Sequence, residues 1–526
     1  MSPASVPPAA MTPAPPVGMK SPMYQPQQPQ AQQQTNDLRK IRRPSKPKGE
    51  PPSPQPPPQV KEEIKPDPEP FVPAVKKEEP EPEVKKEEPK FEARWEELPE
   101  KVLQRVFGFC VANESANTFL LKAAQVSTKW RDATSDPKLW THLDLSVSFL
   151  KEKHRNDKKV EFLLKKYKHC VELKLNGWKN AVSTSTLKII AANCPGLVSL
   201  GLSGCFKLSN EDMELIGDSF GSLKRIDLSN VSASSCSSRA ATSSTCLSEF
   251  VAIVGKRLTH FNISNNKMAG LPFVFKAIAT HSSSLEELDI SNITTTSRDP
   301  IPIHLEKFQK GCQSLRVLNA NHTVLSLTET PIKEQVNSPG FPKLRELYIA
   351  VDSRGYYDGM DDSQVERILK KSDDLRHLDL RNCQNVTETC LIRLPTWDLE
   401  KLIVSGCSAV SSSDSLELMV SKWRKLKELD ASGTSGSRTV NMAIEALLDS
   451  DEPCIRRLNF SNTQVGLKPL TKLLSKCPTI EYLNLSSCRG LQKPIKRLHS
   501  NREAVLALKA DIDEGKYAKD GDDSDD

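Results

Sequence analysis

A pattern of apolar and polar positions, L-x-x-L-x-L-x-x-(C/N/T), recurs along most of the chain. It reads CVELKLNGW from Cys170, LVSLGLSGC from Leu197, LKRIDLSNV from Leu223, LTHFNISNN from Leu258, LEELDISNI from Leu285 and LRVLNANHT from Leu315. It continues as LRELYIAVD from Leu344, LRHLDLRNC from Leu375, LEKLIVSGC from Leu399, LKELDASGT from Leu426, IRRLNFSNT from Ile455 and IEYLNLSSC from Ile480. The third apolar position falls at 175, 202, 228, 263, 290, 320, 349, 380, 404, 431, 460 and 485, in steps of 24 to 35 residues. The L-x-L alternation predicts one short strand per unit. Between units, STLKIIAANC, EDMELIGDSF, QVERILKKS and LKPLTKLLSKC carry apolar residues three and four apart, which predicts a helix.

One strand plus one helix at this period is the leucine-rich repeat: an α/β solenoid of about twelve units, preceded by other segments. Cys205, Cys383, Cys407 and Cys488 sit where the repeat leaves its strand, and Cys194, Cys312 and Cys477 end helices. All are expected to be buried structural thiols. WTHLDLS (140–146) fits the strand pattern loosely, so the segment before it is expected to join the solenoid without a flexible linker.

That preceding segment has helical spacing. Pro99 can open a helix in LPEKVLQRVFGFC, with Val102, Leu103, Val106 and Phe107 as its apolar stripe. NTFLLKAAQV predicts a second helix, and Ser127 can cap a third in TKWRDATSD, ahead of Asp136–Pro137. Further upstream the periodicity disappears. Of 38 prolines, 24 lie in residues 1–90 beside a Gln-rich run, so residues 1–92 are expected to form a disordered arm. Its basic run contains Arg39, Lys40, Arg42 and Arg43, which reads as a nuclear import signal or an ordinary linker stretch. Four hydrophobe–Lys–x–acid matches place Lys61, Lys65, Lys76 and Lys85 as acceptors for a small ubiquitin-like modifier. Alternating Lys and Glu that keep an arm soluble read the same way.

Composition narrows the function classes. The 73 basic and 67 acidic residues leave a net charge of +6, too balanced for a chain that coats nucleic acid or membrane. No signal-peptide core or spanning helix is evident, and 13 cysteines without a C-x-x-C pair read as reduced thiols in an intracellular chain. His142-x-Asp144 and His377-x-Asp379 match the start of an iron-binding triad, but both fall in repeat strands, so no metal or other cofactor is expected.

Leu98–Pro99, Val106–Phe107, Val126-x-x-x-Trp130 and Asp136-Pro137-x-Leu139-Trp140 together resemble the F-box. Two departures are Ser127, where the family often has Cys, and a longer stretch at 111–117. With the repeats, residues 95–500 resemble the F-box/leucine-rich-repeat proteins. The resemblance implies a non-catalytic substrate receptor of a Skp–cullin–F-box ubiquitin ligase, in nucleus and cytoplasm. It also implies adaptor contacts by Leu98, Pro99, Leu103, Val106, Phe107, Trp130, Leu139 and Trp140. The alternative is a nuclear scaffold that acts without a cullin. The expected segments are arm 1–92, F-box 93–145, solenoid 146–506 and acidic tail 507–526.

A protein substrate would lie on the concave face. Its outward columns hold eight acids and five bases, a net of −3 that leans toward a basic ligand. Asp227, Asp289, Tyr348, Asp379, Ile403, Asp430 and Tyr482 are the candidate contacts. No membrane and no direct nucleic-acid partner is expected.

Overall fold

The structure, a computed structural model, describes residues 98–517 apart from 114–115, 233–242, 296–298, 354–356, 412–415, 434–436, 450–452 and 494. The arm, with Arg39, Lys40, Arg42, Arg43, Lys61, Lys65, Lys76 and Lys85, lies outside the described residues, as do residues 518–526 of the tail.

Along the chain the strands are β1 (His142–Asp144), β2 (Glu172–Lys174), β3 (Ser199–Gly201), β4 (Arg225–Asp227), β5 (His260–Asn262), β6 (Glu287–Asp289), β7 (Ile301–Ile303) and β8 (Val317–Asn319). They continue as β9 (Leu325–Leu327), β10 (Glu346–Tyr348), β11 (His377–Asp379), β12 (Lys401–Ile403), β13 (Glu428–Asp430), β14 (Arg457–Asn459), β15 (Tyr482–Asn484) and β16 (Leu498–His499). Fourteen form one sheet in chain order, and β7 pairs separately with β9. The twelve expected repeat strands are all present, with β1 and β16 added at the two edges. Each strand meets the next in register, central apolar residue against central apolar residue, from Leu173–Leu200 to Leu458–Leu483. That alignment, with helices behind, buries a continuous apolar column.

The turn that ends each strand explains the polar letters of the repeat. Asp144, Asp227, Asn262, Asp289, Asn319, Asp379, Asp430, Asn459 and Asn484 each accept, on a side-chain oxygen, the backbone N–H two residues on, at 2.8–3.2 Å. Three residues past the strand end the chain turns left-handed, at Gly177, Gly204, Asn230, Asn265, Asn292, His322, Asn382, Gly406, Gly433, Asn462 and Ser487. Gly and Asn recur there because a branched Cβ clashes in that conformation. The turn also aims its N–H at the next repeat, from Gly177 to the Ser203 carbonyl (2.6 Å) through Asn462 to the Ser486 carbonyl (2.8 Å).

The cysteines lie where the pattern places them. The thiols of Cys205, Cys383, Cys407 and Cys488 donate to carbonyls of the preceding repeat, at 3.0–3.5 Å. Burial pushes Cys205 and Cys383 up to about 12, so these thiols stay protonated. Cys194, Cys312 and Cys477 cap helix C-termini.

Two expectations need correction, and one element is additional to the repeat pattern. The stretch at 111–117 does not lengthen a loop, because the first helix runs on to Asn113 and the second starts at Ala116. The tail boundary at 507 cuts the helix Arg502–Asp513, whose Val505 and Leu508 are buried. The β7–β9 pair was not foreseen; Ile301, Ile303, Leu325 and Leu327 bury it, and the Arg367–Glu306 ion pair (2.7 Å) braces it.

The left-handed turn gives a stability test. Asn292→Val should cost about 1–2 kcal/mol and lower the chemical-denaturation midpoint, while Asn292→Gly should leave it nearly unchanged. Equal midpoints for the two variants would remove the turn from this account.

Candidate functional site

The helical module consists of α1 (Glu100–Asn113), α2 (Ala116–Ala123) and α3 (Thr128–Thr134), closed by the turn Pro137–Leu139. Pro99 precedes α1 and accepts its first N–H groups, from Val102 (2.9 Å) and Leu103 (3.1 Å). Ser127 caps α3 by accepting from the Trp130 N–H. Phe107 packs edge-on against Phe119 (5.5 Å) and Trp130 (5.1 Å), and Leu103 and Leu120 fill in beneath.

This packing splits the expected adaptor anchors. Pro99 is exposed and Leu98, Val106 and Trp130 are half-buried. Leu103, Phe107, Leu139 and Trp140 are interior residues, none more than 8% exposed, so they hold the module together and do not form its outer face. The outer apolar face is the neighbouring stripe of α1: Val102, Val106 and Phe109, with Val102 42% and Phe109 65% exposed. Exposed Leu121 and Val126 add to it from α2 and the turn that follows. The spacing 102–106–109 carries a helical signal. The stripe read from the sequence, Val102, Leu103, Val106 and Phe107, mixes this face with the core positions and leaves out Phe109.

The module and the solenoid are joined rigidly within one unit, Phe91–Asp526. Asn117 of α2 donates from its side-chain amide to the Asp144 carbonyl and accepts from the Asp144 N–H (3.2 Å), fastening α2 to β1. Trp140 stacks on Tyr167 at 4.7 Å and donates to the Thr134 carbonyl (2.8 Å). Trp178 reaches back from the first repeat to the Leu145 carbonyl (2.6 Å).

On the concave face, ion pairs run from strand to strand. Lys174 (3.0 Å) and Arg225 (3.3 Å) meet Glu172. Burial pushes the Glu172 carboxyl up, but the bond and charge of Lys174, helped by Arg225, hold it below its ordinary value. His260 faces Glu287 (3.2 Å) and His377 faces Glu346 (3.3 Å). The Tyr348 hydroxyl donates to Glu346 (2.7 Å), and burial together with that bond pushes its pKa up. Lys401–Glu428–Arg457 continues the chain of charges to the Tyr482 ring, 4.5 Å from the guanidinium.

Two candidate contacts do not reach the surface. Asp379 is 1% exposed, with Arg381 clamped across both carboxylate oxygens (2.6–3.1 Å). Its register neighbour Ile403 is 8% exposed. Asp227, Asp289, Tyr348, Asp430 and Tyr482 remain half-exposed. In the His-x-Asp pairs, Asp144 is spent on the turn, and His377 and Asp379 are held by Glu346 and Arg381. Among the described residues no helix is long and apolar enough to cross a membrane.

Residues 95–146 match the F-box-like family. The chain therefore carries an F-box-like domain followed by a repeat solenoid of parallel strands and helices. No curated protein matches it. Among solved structures it is similar to the Rad7 and Elc1 complex in yeast, at 18% identity and a TM-score of 0.42, covering 75% of this chain and 83% of that one. It is also similar to the TLR13–ssRNA13 complex, at 16% identity and a TM-score of 0.34, covering 67% and 56% of the two chains. Neither likeness bears on function at those values.

Core and surface roles can be told apart by melting. Trp140→Ala removes a buried stacked indole and should cost about 3–5 kcal/mol. Phe109→Ala removes an exposed ring and should change stability by less than about 0.5 kcal/mol. Comparable losses in the two variants would mean that Phe109 belongs to the core.

Proposed function

We propose that this chain is the substrate-recognition subunit of a Skp–cullin–F-box ubiquitin ligase. The observation that carries the reading is the F-box-like match at residues 95–146, followed by a solenoid of parallel strands and helices. No acid–base constellation is needed for the role. The receptor holds an adaptor on one surface and a protein substrate on the other, and rate comes from raised local concentration. The adaptor meets the exposed stripe Val102, Val106 and Phe109 together with Leu98, Pro99 and the edge of Trp130. The substrate meets Asp227, Asp289 and Tyr348, and the acidic balance of the face favours a basic one. The chain works in nucleus and cytoplasm, with Arg39–Arg43 as import signal and Lys61, Lys65, Lys76 and Lys85 as modifier acceptors.

The stretches 300–318, 340–350 and 378–395 resemble F-box and leucine-rich-repeat protein 6 within the family. That finer likeness rests on those residues alone, and the role proposed here uses only the family-level one.

The double variant Val102→Glu, Phe109→Glu should lose adaptor and cullin in quantitative co-purification, since truncating a central anchor costs about 2 kcal/mol or more. Its melting temperature should match wild type. Cullin retained at wild-type levels would replace the receptor with a cullin-free scaffold.

A further inference from the structure

The concave face is not uniform along its length. Over β10–β14 it is closed by its own side chains. Arg381 lies across Asp379, Ile403 is buried beside it, and Lys401, Glu428 and Arg457 neutralise one another. Asp430 uses one oxygen for its turn and receives the Asn459 amide (2.9 Å) on the other. Over β2–β10, by contrast, the face holds a groove of about 280 Å³. Gly201 lines it, the one position in this column without a side chain. A Cβ there would come within 2.7 Å of the Asn176 side-chain oxygen and 3.3 Å of the Lys174 side chain, so those two side chains already lie over it. Beside it, Asp227 gives one oxygen to the Ser229 N–H, and its second oxygen has no hydrogen-bond partner among the described residues. Two strands on, Asp289 also lines the groove; its oxygens accept from Ser291 and from the Asn319 amide (3.2 Å), with no cation against it among the described residues, and Tyr348 stands at the far end.

Counting Glu172 with the groove, four carboxylates (Glu172, Asp227, Glu287, Asp289) face two permanent cations, Lys174 and Arg225, which leaves −2. Both cations are committed to Glu172, and Glu287 has His260. Asp227 and Asp289 are therefore the two groove carboxylates with neither a cation nor an imidazole against them among the described residues. Their register positions are two strands apart, about 9–10 Å at the usual inter-strand spacing. An extended peptide of polyproline II twist advances about 3.1 Å per residue with about three residues per turn, so residues three positions apart share a face and span that distance.

We infer that this groove, and not the concave face at large, takes the ligand, and that the ligand is an extended protein segment with two Lys or Arg residues three positions apart. One cation meets Asp227, and the other meets Asp289. The inference deepens the receptor reading and rests on it only for the statement that the segment belongs to a substrate.

The test uses the full chain and fluorescent Gly/Ser peptides carrying a Lys pair two, three or four positions apart, with acetyl-lysine and Glu pairs as controls. Anisotropy should show the three-position Lys pair binding best, weaker in salt, and lost on acetylation or in the Glu peptide. Asp227→Asn and Asp289→Asn should each weaken binding about tenfold. Both variants should fold, because Asn makes the same turn at 262 and 319. Asp430→Asn, in the closed half, should bind like wild type. Equal binding of neutral, acidic and basic peptides would overturn the inference, as would loss in Asp430→Asn with none in Asp227→Asn. Adaptor capture by the same preparations keeps the two readings apart. Capture without charge preference sinks the groove alone, and charge-selective binding without capture sinks the receptor alone.

Discussion

The fold depends on one hydrogen bond repeated along the sheet: a short polar side chain at the strand end accepting the backbone N–H two residues on. Strands of three residues cannot hold a sheet by their own ladder. The turn extends that ladder, because the left-handed residue after it donates to the next repeat while the helix is sent back over the core. Asp and Asn are short enough to make this bond, and Gly and Asn tolerate the turn that follows. The polar column that looks like a binding surface is thus first a structural one. Where a second oxygen is left over, as at Asp227, or no cation lies against the carboxylate among the described residues, as at Asp289, it keeps charge for a partner.

The same economy shapes the helical module. A unit of three short helices has little interior, and it draws its own tryptophans and phenylalanines inward to make one. What remains outside is a single narrow stripe on α1. Because Trp140, Tyr167 and Trp178 lock the module to the first repeat, that stripe and the groove keep a fixed relation. A receptor that works by proximity needs a fixed relation of this kind.

The sequence made the solenoid legible because its period repeats twelve times, and every third apolar position, from Leu175 to Leu485, is buried. Periodicity could not show the β7–β9 pair, which occurs once and so has no repeat to reveal it. Nor could it sort the anchors of the helical module. Phe107 and Phe109 are both apolar residues of one helix, and only the position of Phe119 and Trp130 decides which faces inward. Asp379 failed as a contact for a related reason. Its polar class was right for the column, but Arg381 two residues on folds over it, and no pattern in the chain announces that.

The splice of the module to the sheet through β1 bears on how the chain is made. Synthesis delivers the helices first, and β1 then offers a ready parallel edge to β2. Each later repeat, 24 to 35 residues long, emerges over about 1–7 s at ~5–20 residues per second, far longer than a strand needs to pair. The growing end is therefore always one repeat from a template, and the open edge moves along with it. It closes only when β16 pairs antiparallel to β15 and the helix Arg502–Asp513 packs behind it. Assembly in this solenoid has a direction, set at one end by the helical module and stopped at the other by a reversed strand.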